Sequence, residues 1–265
     1  MQDQNHKNLS SNVQILAIVQ ARMSSSRLPG KVMKSILEKP MLELHIERIQ
    51  RSKEINRLVI ATSTSSEDDC IEQLCKKLNV EYYRGSLNDV LDRFAKAAAE
   101  YQPEYVLRLT GDCPLFDPEL CDEFIKYALD QNYDYCTNAE PATYPNGVDM
   151  EIMTYAALQK AAAYAKLPSE REHVTPYIKK NPMFHKGCMK HTIDLSHQRW
   201  TVDNPEDFEV ASHIFSELYP INPQFTWLDV VSYMETHPDI AAINSHIQRN
   251  EGFKKSLEAD KEGDR

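Results

Sequence analysis

The chain reads as an α/β fold with a mostly parallel sheet flanked by helices, on three observations. Apolar runs of strand length recur at 13–21, 57–63 and 104–110. Longer segments with helical apolar spacing and helix-type ends stand between them. Strand and helix therefore alternate at the spacing of βαβ units, whose crossovers bring successive strands together in parallel.

Residues 1–12, MQDQNHKNLSSN, are polar, lack a signal-peptide h-region, and are expected to be a disordered tail. VQILAIVQA (13–21) is a short apolar run, as expected of a strand covered on both faces, and is far too short to cross a bilayer. A basic loop follows it. MLELHIERIQRS (41–52) is apolar at 42, 46 and 49 and reads as a helix, and RLVIATS (57–63) as a second buried strand. EDDCIEQLCKKLN (67–79) is helical, with an acidic start and basic end that complement the helix dipole. VEYY (80–83) is a third strand. SLNDVLDRFAKAAAEY (86–101) is a helix with Ser86 at its N-cap and Asp89 three positions on. EYVLRLT (104–110) is a fourth strand, ended by Gly-Asp-Cys-Pro, and DPELCDEFIKYALDQ (117–131) is a helix with Pro118 in its first turn. The second half is less regular: a strand near 148–152, helices at 154–166 and 170–180, a strand near 188–194, and a helix at 205–218. Residues 13–250 form one domain in this reading, and the polar stretch 251–265 a frayed tail.

A formal charge of −10 argues against broad binding to nucleic acid or anionic membranes, which need a basic face. None of the six cysteines forms a C-x-x-C pair, so they read as reduced thiols of a soluble cytoplasmic protein. Against this acidic background, Lys7, Arg22, Arg27, Lys31 and Lys34 lie between Asp3 and Glu38 with no acidic residue among them. Most of them fall in ARMSSSRLPGK (21–31). It is not a P-loop, because Ser25 and Val32 stand where that motif needs Gly and Ser or Thr, and no G-x-G-x-x-G is present. Its hydroxyls, backbone N–H groups, guanidiniums and ammonium are nevertheless phosphate-binding parts. The competing reading, a solvated surface loop, is weakened by the Pro-Gly turn and the single sign of charge.

Ligands in open parallel sheets bind beyond the carboxyl ends of the strands. The basic loop, Arg84-Gly85 and Gly111-Asp112 each follow a strand and so share one rim. Asp112 there is a natural Mg²⁺ ligand. Its plainer reading is a turn-capping Asp. Asp203, in RWTVDNPEDF, is the candidate second carboxylate, and its plainer reading is a helix cap before Pro205. In NGVDMEI, Asp149 and Glu151 point to one side of a strand. Glu170 and His173 read as part of an ordinary amphipathic helix, while Arg171 and Glu172 could serve a substrate.

Together ARMSSSRLPGK, YYRGSLNDVLDRF, LRLTGDCPLFDPEL, NGVDMEI, EREHVTPYI and RWTVDNPEDFE, over roughly residues 13 to 250, resemble the cytidylyltransferases that make CMP-linked sugar acids. These are the CMP-Kdo and CMP-sialic acid (acylneuraminate) synthetases, and the nearest likeness is to the branch of the spore coat polysaccharide biosynthesis protein F. The resemblance implies a Rossmann-like, GT-A-like nucleotidyltransferase fold, CTP as donor, Mg²⁺, a small sugar-acid acceptor and a homodimer. The acceptor site and dimer elements would lie in the second half. It places Ala21, Arg22, Ser26, Arg27 and Lys31 at the CTP phosphates, Arg84 near the cytosine, and Asp112 and Asp203 on the metal. Arg22, Lys31 and Asp112 would be catalytic. Asp149, Glu151 and Arg171 are candidates for the acceptor, which stays open because GDCP departs from the acidic residue that Kdo enzymes carry before the proline.

Three alternatives stand beside this reading. One is nucleotidyl transfer to a different small acceptor. Another is a metal-dependent glycosyltransferase, disfavoured because no Asp-x-Asp occurs and the nearest substitute is Asp149-x-Glu151. The third is an inactive nucleotide-binding scaffold, disfavoured by the complete basic loop and the pair of candidate metal carboxylates.

Overall fold

A computed structural model of the protein describes residues 13–249 together with residues 251, 253, 256 and 260. In chain order its elements are β1 (Ile15–Gln20), β2 (Ser35–Ile36), β3 (Lys39–Pro40), α1 (Met41–Ile49), β4 (Arg57–Ser63), α2 (Asp69–Leu78), β5 (Glu81–Gly85), α3 (Val90–Ala99), β6 (Tyr105–Thr110) and α4 (Pro118–Asp130). The second half adds β7 (Tyr135–Thr137), β8 (Glu151–Thr154), α5 (Tyr155–Tyr164), α6 (Pro168–His173), α7 (Pro176–Lys180), β9 (Lys186–Cys188), α8 (Pro205–Leu218), α9 (Trp227–Thr236) and α10 (Pro238–Ala242).

Seven strands form one sheet in the order β5-β4-β1-β6-β8-β7-β9. The first four run parallel, so the expected mostly parallel sheet flanked by helices is present. β8 enters antiparallel to both β6 and β7, while β7 and β9 pair in parallel. β2 and β3 form a separate two-stranded ribbon.

Alternation along the strands builds a core on each face. Ala17, Val19, Leu107, Leu109 and Ile152 pack with α1, α2, α4, α8 and α9. Leu16, Ile18, Val106 and Met153 face the other way, onto α3, α5 and α7. Phe94 of α3 is wholly buried in that second core, and truncating it to Ala is expected to cost about 3–5 kcal/mol.

Several boundaries differ from the sequence reading. The helix expected at 86–101 begins at Val90. Asp89 caps it by accepting from the Asp92 N–H, and Ser86 accepts from the Asp89 N–H instead. The helix expected at 170–180 is two, α6 and α7, separated at Val174 and Thr175. Val174 has φ 71 and ψ −52, and the Thr175 N–H donates to the His173 carbonyl at 2.8 Å. That is a γ-turn, strained for a β-branched residue. Pro176, which has no N–H to continue α6, starts α7. Of the strand expected near 188–194 only its first residue is in β9, and the strand expected at 148–152 is shifted to Glu151–Thr154. Among the elements not foreseen is α9, although Thr226 and Asp229 form a capping box before it.

The tail expectation for residues 1–12 lies outside the described residues. So does most of 251–265, but Glu251, Phe253, Ser256 and Asp260 are described, and each is helical. Phe253 meets the His173 ring edge-on at 5.0 Å, and Asp260 accepts from the Ser169 N–H at 3.0 Å. Among the described residues no helix is long and apolar enough to cross a membrane.

Candidate functional site

At the carboxyl ends of the parallel strands, the face covered by α3, α5 and α7 turns from apolar to polar. Leu16, Ile18 and Val106 give way to Gln20, Arg108 and Thr110, and Glu151 opens β8 at the same level. These side chains floor an open cavity of about 520 Å³.

The basic loop forms one wall. Its shape is set by backbone bonds: the Ala21 N–H donates to the Ala61 carbonyl, and the Ser25 and Gly30 N–H groups both donate to the Met23 carbonyl. The Met23 N–H donates to Asp68, which Ser63 holds in place. Gly111 lets the loop after β6 press against the basic loop, since a Cβ there would sit 3.0 Å from the Gln20 carbonyl oxygen. Arg22, Ser26 and Arg27 line the cavity. Among the described residues, Arg22 has no hydrogen-bond or ion-pair partner.

Lys31 leaves this loop and ends between two carboxylates. Its Nζ lies 3.1 Å from Asp112 Oδ2 and 2.9 Å from Asp203 Oδ1, and donates to the Val202 carbonyl at 2.8 Å. Backbone bonds bring the two carboxylates together, because the Val202 N–H donates to the Asp112 carbonyl at 2.7 Å. Gly147 permits a close approach nearby: at φ 125 its backbone lies so near Thr201 that a Cβ would fall 2.6 Å from that nitrogen. Asp203 is not the helix cap. Asp207, in the first turn of α8, reaches back to the N–H groups of Asp203 and Asn204, and Arg199 braces it at 2.8 Å. The Asp203 carboxylate is left facing Lys31 and Arg27, the latter at 2.9 Å.

Burial works against the charge on Asp112, but the Lys31 ammonium and a bond from Thr110 outweigh it and hold the carboxyl well below its usual range. Burial likewise opposes the Lys31 charge, and Asp112 and Asp203 raise its pKa in spite of it. Two carboxylates from separate segments thus converge on one cation. That donor set fits a divalent ion that also takes phosphate oxygens. No group of three or more metal-ligating side chains occurs among the described residues, so a bound phosphate would have to complete the shell.

Farther along the cavity stand Asp149 and Glu151. Burial pushes the Asp149 carboxyl up to about 6, against the pull of Arg249. Glu151 is held well below its usual range because Lys179 and Arg108 overcome the cost of burial. Ala21, Arg22, Ser26, Arg27, Lys31 and Asp112 therefore share one cavity with Asp149, Glu151 and Asp203.

Arg84 and Arg171, expected at the nucleotide and the acceptor, do not line this cavity. Arg84 is turned onto α2, with Nη1 at 2.6 Å from Glu72 and 2.7 Å from Asp69, and it also donates to the Ser63 and Ser65 carbonyls. Arg171 clamps Asp89 through Nε at 3.0 Å and Nη2 at 2.6 Å. Conversely, Arg93, Arg108, Thr175 and Lys179 line the cavity and were missed. Arg108 had one visible signal, a charge in the middle of the otherwise apolar run YVLRLT. Arg93 is 1 % exposed, with its Nε unpartnered, and burial together with nearby Arg22 lowers its pKa to about 10.

Comparison with known proteins agrees with this geometry. The sequence profile of the family described as cytidylyltransferase matches residues 16–219. The spore coat polysaccharide biosynthesis protein SpsF of Bacillus subtilis is 33% identical over 86% of this chain and 96% of its own. The 3-deoxy-manno-octulosonate cytidylyltransferase of Geobacter sulfurreducens is 34% identical over 42% of this chain and 44% of its own. A solved cytidylyltransferase structure from Leptospira borgpetersenii superposes with a TM-score of 0.84 at 33% identity, covering 90% of this chain and all of that one. The match over most of the chain, in sequence and in three dimensions, shows that this protein belongs to the cytidylyltransferase family.

Proposed function

We propose that the protein transfers the cytidylyl group of CTP to a hydroxyl of a sugar acid, making its CMP derivative for surface glycan synthesis. The observation that carries this reading is the convergence of Asp112 and Asp203 on one cation beside a basic loop, at the mouth of an open cavity.

In the reaction, an acceptor oxygen attacks the α-phosphorus of CTP. The bond from that phosphorus to the bridging oxygen breaks, and pyrophosphate leaves with the electron pair. For a ulosonic acid the nucleophile is the anomeric hydroxyl, whose proton is released. Positioning and charge neutralisation do most of the work in such a transfer. Arg22, Arg27 and Lys31, with Ser26 and the Ala21 backbone, hold the triphosphate and offset charge on the leaving group. Asp112 and Asp203 would hold Mg²⁺, which would supply charge stabilisation for the transfer and lower the pKa of the attacking hydroxyl. Residues 13–250 act as one nucleotidyltransferase domain, and a homodimer in the cytoplasm completes the proposal.

An NTP-by-acceptor matrix read by pyrophosphate release tests this. CTP with a keto-deoxy sugar acid is expected to give the fastest release. A preference for GTP or UTP overturns the donor assignment. Glycosyl transfer from a preformed nucleotide sugar, without pyrophosphate, favours the glycosyltransferase reading.

A further inference from the structure

On the cavity wall built from β6, β8 and α7, two cations are fixed by a single carboxylate, and Arg108 Nη2 also donates to Gln20 Oε1 at 3.1 Å. Arg108 on β6 stands directly opposite Glu151 on β8 in the antiparallel register. Glu151 takes bonds from Arg108, from the Tyr135 hydroxyl and from the Thr175 hydroxyl at 2.7 Å, and Lys179 Nζ lies 3.2 Å away. Three of these groups crowd Oε1, and Arg108 takes Oε2. Glu151 is therefore spent on protein partners, and its effect is to hold Arg108 and Lys179 next to one another at the cavity wall.

The two cations keep binding capacity in reserve. Arg108 Nε is buried without a hydrogen-bond partner, a costly state for a donor. Lys179 spends its other contact on Glu140, at 2.9 Å, and the Glu140 side chain is 51% exposed. Such an exposed pair is weak and readily exchanged. Nearby Asp149 has its own cation, Arg249, and burial holds His173 toward its neutral form. Two cations against Glu151 thus leave one positive charge at the site, with Glu140 as the removable partner.

We infer that Arg108 and Lys179 form a monoanion subsite that receives the carboxylate of the acceptor. Glu151 is its positioning residue, and Glu140 the side chain that the acceptor displaces. The inference rests on the sugar-acid reading above and names the groups that would make an acid the preferred acceptor. It also replaces Arg171, whose guanidinium is committed to Asp89 outside the cavity.

The test is steady-state pyrophosphate release by the full chain with CTP and 3-deoxy-manno-octulosonate or N-acetylneuraminate, each beside its C1 methyl ester. Lys179→Met and Arg108→Lys are compared with wild type, and melting curves confirm that each folds. In both variants KM for the acid is expected to rise about ten- to one-hundredfold, as loss of a charge-assisted bond predicts, with KM for CTP little changed. The ester should be a poor acceptor for wild type and no poorer for the variants. If the acid is turned over but its KM is unchanged in both variants, or KM for CTP rises in step, the subsite assignment falls alone. If no sugar acid supports release by wild type, the sugar-acid reading falls and takes the subsite with it.

Discussion

The two ends of the cavity are built by different means. The cations proposed to hold the nucleotide come from one contiguous loop, residues 21–31, laid across the exits of parallel strands, while their carboxylate partners Asp112 and Asp203 come from separate segments. Its cations lean on carboxylates that remain partly exposed: Arg27 and Asp203 keep 30% and 20% of their side-chain surface. The wall proposed to receive the acceptor draws single residues from β6, β8 and α7, and its Arg108–Glu151 pair keeps only 13% and 10%. A loop of exchangeable pairs suits a polyanion that arrives and leaves at each turnover. A buried, fully bonded carboxylate suits a fixed template. The position of a functional group in the chain and its freedom to move therefore go together here.

The strongest way to probe the donor end is at the carboxylates. Asp112→Asn keeps the shape and removes the charge. It is expected to lower kcat for Mg²⁺-dependent pyrophosphate release by about 10²–10³ or more, with a native melting profile. Wild-type-like turnover in that variant would remove Asp112 from the metal site. Lys31→Met should also lower kcat, and its effect on stability is the sharper readout. It leaves Asp112 and Asp203 facing each other without their shared ammonium and is expected to cost about 2–3 kcal/mol. That is less than orphaning a fully buried charge costs, because both carboxylates keep some contact with solvent. Added Mg²⁺ should raise the melting temperature of Lys31→Met more than that of wild type. Equal shifts would show that the two carboxylates do not form a divalent-ion site.

Local signals explain which parts were legible in the sequence. The parallel half of the sheet was readable because β1, β4 and β6 are mostly apolar runs of strand length, and α4 and α8 because proline sits in their first turns. The γ-turn at Val174 was not, because a β-branched residue at positive φ contradicts local preference and is held there by its buried side chain and by Thr175 bonding to Glu151. Asp203 was ambiguous between cap and ligand. The structure removes the cap reading, because Asp207 takes that role, and its backward reach could not be distinguished from ordinary first-turn acidity. Arg108 and Lys179 meet only through strand pairing and the packing of α7, and no spacing along the chain encodes that meeting.

Arg84 tests the smallest effect and the limit of the motif itself. The residues around it placed it near the cytosine, but its side chain is turned onto Asp69 and Glu72 and onto the carbonyls of Ser63 and Ser65. Asp69 is largely exposed, so that pair contributes little, and the carbonyl bonds chiefly pin the exit of β4. Arg84→Ala is accordingly expected to cost about 1 kcal/mol of stability in a denaturant titration. KM for CTP should stay within about twofold, since a difference that small is well under 1 kcal/mol. A tenfold rise in KM for CTP at unchanged stability would mean that the guanidinium leaves its carboxylates when nucleotide binds. The donor end would then extend past the basic loop to the exit of β5, and the exchangeable character of its ion pairs would reach the base as well as the phosphates.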